Sequence, residues 1–245
     1  MQIENAIALV TGANGGIGKH YVDGLLAAGI SKIYAGARNP NSLADIVAVD
    51  PQRIIPIALD ITDEESVRVA ASKYEDVNLL INNAGVGLLQ GFISSPDLKA
   101  AKAEIEVNYF GTLRMCRAFA PVLQANGGGA IVNMLTILAK VNLPLNASYC
   151  ASKAATLLMT QGIRAELAAQ GTLVVGVMPG TVDTGMSTHF PPPKVAPEVV
   201  VQEALQAVID GVEDVYPGEQ AKEMASQLLK DPKAVEKALA KMLPN

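Results

Sequence analysis

Residues 10–21, VTGANGGIGKHY, decide how the rest of the chain is read. The apolar run AIALV (6–10) leads into them, and helical spacing continues from 16 to 29. Gly12, Gly16 and Gly18 therefore fall where a chain leaving a strand turns tightly and opens a helix. Glycines at such a place let the backbone approach a phosphate, and the free N–H groups of the helix start point at the anion. The spacing is G-x-x-x-G-x-G rather than G-x-G-x-x-G, a difference that separates two groups of dinucleotide binders.

Working outward, short apolar runs alternate with longer helical segments. KIYAGA (32–37), IIPIAL (54–59), NLLINNA (78–84), AIVNML (130–135), TLVVGVM (172–178) and a weaker DVYPG (214–218) read as strands. Each is apolar on both faces, as parallel strands covered by helices above and below must be. Helices are expected at 16–29, 63–74, 97–125, 150–170 and 197–211. This predicts an α/β fold: a Rossmann-type doubly wound parallel sheet of about seven strands with helices on both faces. One domain is expected over 1–245, with the proline-rich 185–196 as a substrate lid and 219–245 as a C-terminal helical extension. Pro197 and Pro232 suit first helical turns, with Asp231 as an N-cap. Val235, Leu239 and Met242 share one stripe of the last helix, which reads as a surface helix capping the domain or a neighbouring subunit. The segment 97–125 would be ~40 Å long as a single helix. It and 150–170 carry more apolar surface than one sheet face needs, so a homo-oligomer, dimer or tetramer, is expected through them.

Composition removes several function classes. Half of the 245 residues are apolar and 18% are charged, which is ample for a core. The net charge is -5 without a basic stripe, against nucleic acid or an anionic membrane as partner. No stretch reaches the ~20 apolar residues of a membrane span. MQIENAIALV lacks a basic n-region, so no leader and a cytoplasmic location are expected. The two cysteines, Cys116 and Cys150, read as reduced structural thiols. His20 and His189 have no companions at ligand spacing, so no metal site is assigned.

The second strand ends in AGARNPN, placing Arg38 twenty residues past Gly18. NAD-selective proteins carry an acid there for the ribose 2′-OH. An acid would repel a 2′-phosphate, whereas a guanidinium pairs with it bidentately. Arg38 thus favours NADP(H) over NAD(H), the alternative being a solvated arginine in a turn. Asp60, in LDIT, ends the third strand at the edge where an adenine would lie.

Taken in order, the glycine loop, INNAG (81–85), Asn108, IVNMLT (131–136), SYCASK (148–153) and MPGTVDT (178–184) resemble the short-chain dehydrogenase/reductase family of the NADP-preferring type. The likeness runs from about residue 5 to residue 185. It implies that Gly12, Asn14, Gly16, Ile17 and Gly18 hold the pyrophosphate and adenosine side. It implies Asp60 and Ile61 at the adenine, Asn83, Ala84 and Gly85 beside the nucleotide, and Pro179, Gly180, Val182 and Thr184 at the nicotinamide amide. Tyr149 and Lys153 would also touch the cofactor. The family's catalytic positions fall on Asn108, Thr136, Tyr149 and Lys153, a threonine standing where the family carries serine.

The implied reaction moves hydride between the nicotinamide and a carbonyl or alcohol carbon, with the tyrosine transferring the proton on oxygen. A free phenol has a pKa near ~10, and a lysine ammonium at i+4 is expected to lower it. The serine's task is a hydrogen bond to the substrate oxygen, which a threonine hydroxyl can also make. A pocket of Leu88, Leu138, Leu143, Leu145 and the residues from Met186 to Phe190 suits a neutral, apolar ketone or aldehyde. The alternative is an NADP(H)-binding regulatory protein with little turnover because of Thr136.

Overall fold

The computed structural model describes residues 1–244. One parallel sheet contains β1 (Ile7–Thr11), β2 (Lys32–Ala37), β3 (Ile54–Ala58), β4 (Leu79–Asn82), β5 (Gly129–Met134), β6 (Thr172–Val177) and β7 (Asp214–Val215). Their spatial order is 3-2-1-4-5-6-7, and every neighbouring pair is parallel. The helices are α1 (Gly16–Ala27), α2 (Ala44–Val47), α3 (Glu64–Lys73), α4 (Lys99–Ile105), α5 (Thr112–Ala125), α6 (Ala147–Leu167), α7 (Pro197–Asp210), α8 (Glu219–Lys230) and α9 (Pro232–Leu239). This is the Rossmann-like α/β fold expected.

Because side chains alternate along a strand, each strand feeds two cores. Ala8 and Val10 join Tyr21 and Leu25 of α1 and Val201 and Leu205 of α7 on one face. Leu9 lies on the other, with Val67 of α3 and Met115 and Phe119 of α5. Phe119 is fully buried, which stabilises the fold by about 2–3 kcal/mol. The chain runs outward from β1 to β3, then returns to β4 beside β1 and runs the other way. The crevice at the carboxyl ends of β1 and β4 is where such folds bind ligands.

Three elements differ from expectation. The segment 97–125 is interrupted by a π-helical turn, Glu106–Gly111. Its cause is tertiary: Asn108 O accepts from the Thr112 and Thr156 hydroxyls (2.8 and 3.0 Å), while its side chain is bound elsewhere. Helix α6 starts at Ala147 instead of 150, which puts Tyr149 inside it. The seventh strand is two residues long; Pro217, lacking an N–H, cannot extend a ladder. The extension 219–245 resolves into α8 and α9, with Asn245 outside the described residues. Asp231 caps α9, accepting from Ala234 N at 2.9 Å. Among the described residues no helix is long and apolar enough to cross a membrane.

Candidate active site

The β1/β4 crevice is a cleft of about 560 Å³. At one end, Gly12 and Gly16 take positive φ (63° and 52°), conformations that suit glycine. Gly18 serves differently: a Cβ there would collide with the Gly12 carbonyl and the Asn83 amide. The Asn83 side chain donates to Thr11 O and Gly12 O (3.0 and 3.1 Å), and the Thr11 hydroxyl accepts from the N–H groups of Asn83 and Ala84, both at 3.0 Å. These bonds lock the glycine loop onto the start of the β4 loop. No capping side chain or acidic residue occupies the first turn of α1, which leaves that turn open to an anion.

Arg38 stands exposed on the cleft wall beside Asn39 and Ser42. It makes no side-chain hydrogen bond or salt bridge among the described residues. Asp60 accepts from the Thr62 N–H and hydroxyl (2.9 and 2.7 Å). Burial opposes its ionisation, but the Thr62 bonds and the nearby Arg38 charge hold its carboxyl below the usual range. Asn14, Ile17, Ile61, Ala84, Gly85 and Thr184 also line the cleft. Gly18 lies buried beneath the loop. Backbone amides, one unpaired guanidinium and apolar walls form a donor set that fits a phosphorylated dinucleotide.

Tyr149 and Lys153 close the far end of the cleft. Gly85 brings the chain close to Lys153, since a Cβ there would sit 3.4 Å from Nζ, and a Cβ on Gly87 would lie 3.3 Å from the Tyr149 ring. The expected lysine effect on the phenol is overturned. Burial, with smaller effects of Cys150 and Glu104, pushes the Tyr149 pKa up. Lys153 Nζ stands 5.9 Å from the ring centroid and donates to Met134 O at 2.7 Å. Burial lowers its own pKa to about 8.

Asn108 and Glu104 hold the loop that follows β4. The Asn108 amide accepts from Val86 N and donates to Val86 O (2.9 and 2.8 Å), and also donates to the Ser152 hydroxyl at 2.9 Å. Glu104, fully buried, accepts from Leu88 N at 2.7 Å. Asn108 therefore positions the wall behind Tyr149. The Thr136 hydroxyl accepts from Leu138 N and donates to Pro179 O (3.2 and 3.3 Å).

A second cavity of about 210 Å³ adjoins the first. Tyr149, Ile17, Leu135, Thr184 and Met186 line both. Pro179, Gly180 and Val182 face this second cavity instead of the cleft, and Thr136 lines it too. Of the expected substrate residues, Leu138, Leu143 and Met186 are in place. Leu88 and Leu145 are not. Leu88 is tethered through its N–H to Glu104 and its side chain is 44% exposed. Leu145 instead ties down the C-terminal segment, donating to Met242 O at 3.1 Å. Phe190, in the expected stretch 186–190, lines it as well, and the wall also includes Leu89, Met224, Leu239 and Met242, which sequence reasoning missed. The Leu239/Met242 stripe was the available signal: it faces this cavity.

Residues 6–194 match the short chain dehydrogenase family. A short chain dehydrogenase (mpl6) of Monascus purpureus is 35% identical over 194 residues, 74% of this chain but only 66% of the relative. An oxidoreductase of Staphylococcus saprophyticus is 31% identical over 195 residues, 76% of this chain and 82% of the relative. A short chain dehydrogenase from Burkholderia cenocepacia J2315, solved in complex with NADP, superposes over 100% of both chains with a TM-score of 0.92 and 48% identity. Motif order, sheet topology and these likenesses agree: the chain belongs to the short-chain dehydrogenase family, oxidoreductases that act on CH–OH and C=O groups with a pyridine nucleotide.

Proposed function

We propose that this protein catalyses the NADPH-dependent reduction of a neutral ketone or aldehyde, or the reverse oxidation. The observation that carries the reading is the position of Tyr149 at the junction of a cleft suited to a dinucleotide and a cavity suited to a substrate. The bound nicotinamide supplies the hydride. Tyr149, protonated at neutral pH as a phenol is, then gives its proton to the substrate oxygen as the hydride arrives on carbon. Thr136 offers a second donor to that oxygen by exchanging its bond to Pro179 O, which at 3.3 Å is long for a hydroxyl donor. Lys153 adds a cation beside the phenol, and Asn108 fixes the loop against which the ring packs.

Arg38 favours NADP(H), because an unpaired guanidinium at the cleft wall suits a 2′-phosphate; the NADP complex of the Burkholderia relative accords with this. The second cavity has no Asp, Glu, Lys, Arg or His among its described lining residues, which favours an uncharged substrate. Residues 185–196 act as its lid. A cytoplasmic homo-oligomer joined through 97–125 and 150–170 completes the proposal, since Phe110 and Leu158 expose apolar side chains there.

A second reading, a NADP(H)-binding regulator with little turnover, is favoured by the engagement of the Thr136 hydroxyl within the protein. The deciding experiment is a panel of carbonyl compounds followed by loss of NADPH absorbance, with NADH run alongside. Turnover with NADPH supports the reductase. NADPH binding without turnover, cured by Thr136→Ser, assigns the regulator.

A further inference from the structure

We propose that Asn146 anchors the substrate in the second cavity, its Oδ1 accepting a hydrogen bond from a hydroxyl of a compound whose carbonyl oxygen meets Tyr149. This rests on the reductase reading and narrows its substrate class. Asn146 occupies the N-cap position of α6, where an asparagine ordinarily accepts a hydrogen bond from the first helical turn. Its side chain makes no such bond. The residue is 6% exposed, and its Oδ1 is buried without any partner; the soft Cβ–Cγ torsion of an asparagine lets the amide turn toward the cavity that the residue lines.

Asn146 lines the 210 Å³ cavity three residues before Tyr149. Tyr149 lines the same cavity, so the amide and the phenol serve the same space. Three other polar side chains there are already engaged: Thr136 with Pro179 O, Ser187 with Val182 O, and Gln220 with Thr181 N. Leucine, isoleucine, methionine and phenylalanine make up much of the remaining wall. A buried amide with neither cap nor partner destabilises the protein unless a ligand satisfies it. A site of this kind discriminates sharply against analogues that lack the matching oxygen. Neutral hydroxyketones fit it; plain ketones, and diketones or keto esters whose oxygens only accept, do not.

The test compares matched pairs: diacetone alcohol against methyl isobutyl ketone, and 4-hydroxy-2-butanone against methyl propyl ketone. The kcat/KM of each with NADPH is measured for the wild-type protein, Asn146→Leu and, should leucine overfill the site, Asn146→Ala. The wild-type protein is expected to favour the oxygen-rich member by about ten-fold or more, chiefly through KM. Either variant brings the ratio within each pair close to unity while NADPH binding, measured by fluorescence, shows the fold intact. A wild-type protein without the preference, or variants that keep it, overturn the Asn146 assignment and leave the reductase standing. NADPH binding with no turnover of any compound in these pairs or the wider panel overturns both.

Discussion

Tyr149 is half-buried and Lys153 buried, and loss of solvent moves their pKa values in opposite directions. A phenol holds its proton at neutral pH, and raising its pKa makes it a weaker acid, so in the reductive direction the proton leaves as the substrate oxygen gains negative charge. Tyr149→Phe removes only that hydroxyl, so kcat/KM should fall about 10²- to 10⁴-fold while NADPH affinity, read by fluorescence titration, is retained. Retained turnover would remove Tyr149 as the proton donor. For Lys153 burial disfavours the ammonium, bringing its pKa from 10.5 to about 8. Below pH 8 the folded protein carries this penalty in full. Between about pH 8 and 10.5 the unfolded chain holds the proton that the folded one has released, so this group makes stability rise with pH. Lys153→Met should therefore stabilise the ligand-free protein near pH 7 while abolishing turnover. The relief is about 3 kcal/mol from the pKa difference. Loss of the bond to Met134 O reduces the net to about 1–2 kcal/mol. Scanning calorimetry checks it: the melting temperature rises at pH 7 and the advantage shrinks by pH 10. Arg38→Asp should raise the KM for NADPH by about ten- to a hundred-fold and spare NADH, as expected for one charged hydrogen-bonding group. An unchanged cofactor preference would discard the 2′-phosphate contact. The i,i+4 spacing and the place of Arg38 were legible because local chain geometry sets them. The direction of the Tyr149 shift was not, since its largest cause is the loss of solvent that tertiary packing brings, with smaller effects of Cys150 and Glu104.

At the scale of elements, the β1–α1 junction tolerates the least. A Cβ on Gly18 meets backbone, which cannot swing aside as a side-chain end can. Gly18→Ala should destabilise by about 1–3 kcal/mol in urea unfolding, with the loss of NADPH binding exceeding what the unfolded fraction explains. Normal affinity in that variant would show that the loop can relax. All seven strands could be read from the sequence, because apolar runs bounded by turn residues need only local information. The π turn could not. It depends on Thr156 reaching Asn108 O and on Val86 taking the Asn108 amide, contacts spread over three segments. Nor was the early start of α6 at Ala147 read: a short turn, Pro144–Asn146, leads straight into it.

Across the whole molecule, the two ligand spaces draw on different parts of the chain. The C-terminal stripe was visible as amphipathic, but which surface it covered depended on Leu145 meeting Met242. Leu158 on α6 is 69% exposed and Phe110 43%, both outside the two cores. If copies of the chain meet there as proposed, Leu158→Asp should lower the mass found by light scattering to that of one chain, because a buried unpaired carboxylate is strongly disfavoured. An unaltered assembly would exclude that face. The reversal of strand order between β1 and β4 carries a further consequence. Everything that meets the adenosine end before β4 lies within residues 7–62, whereas Tyr149 and much of the second wall come after β5. Nucleotide choice and substrate choice are thus written on separable lengths of chain. A chimera taking its opening segment from an NADH-using relative would exchange one currency of reducing power for another without relearning what it reduces.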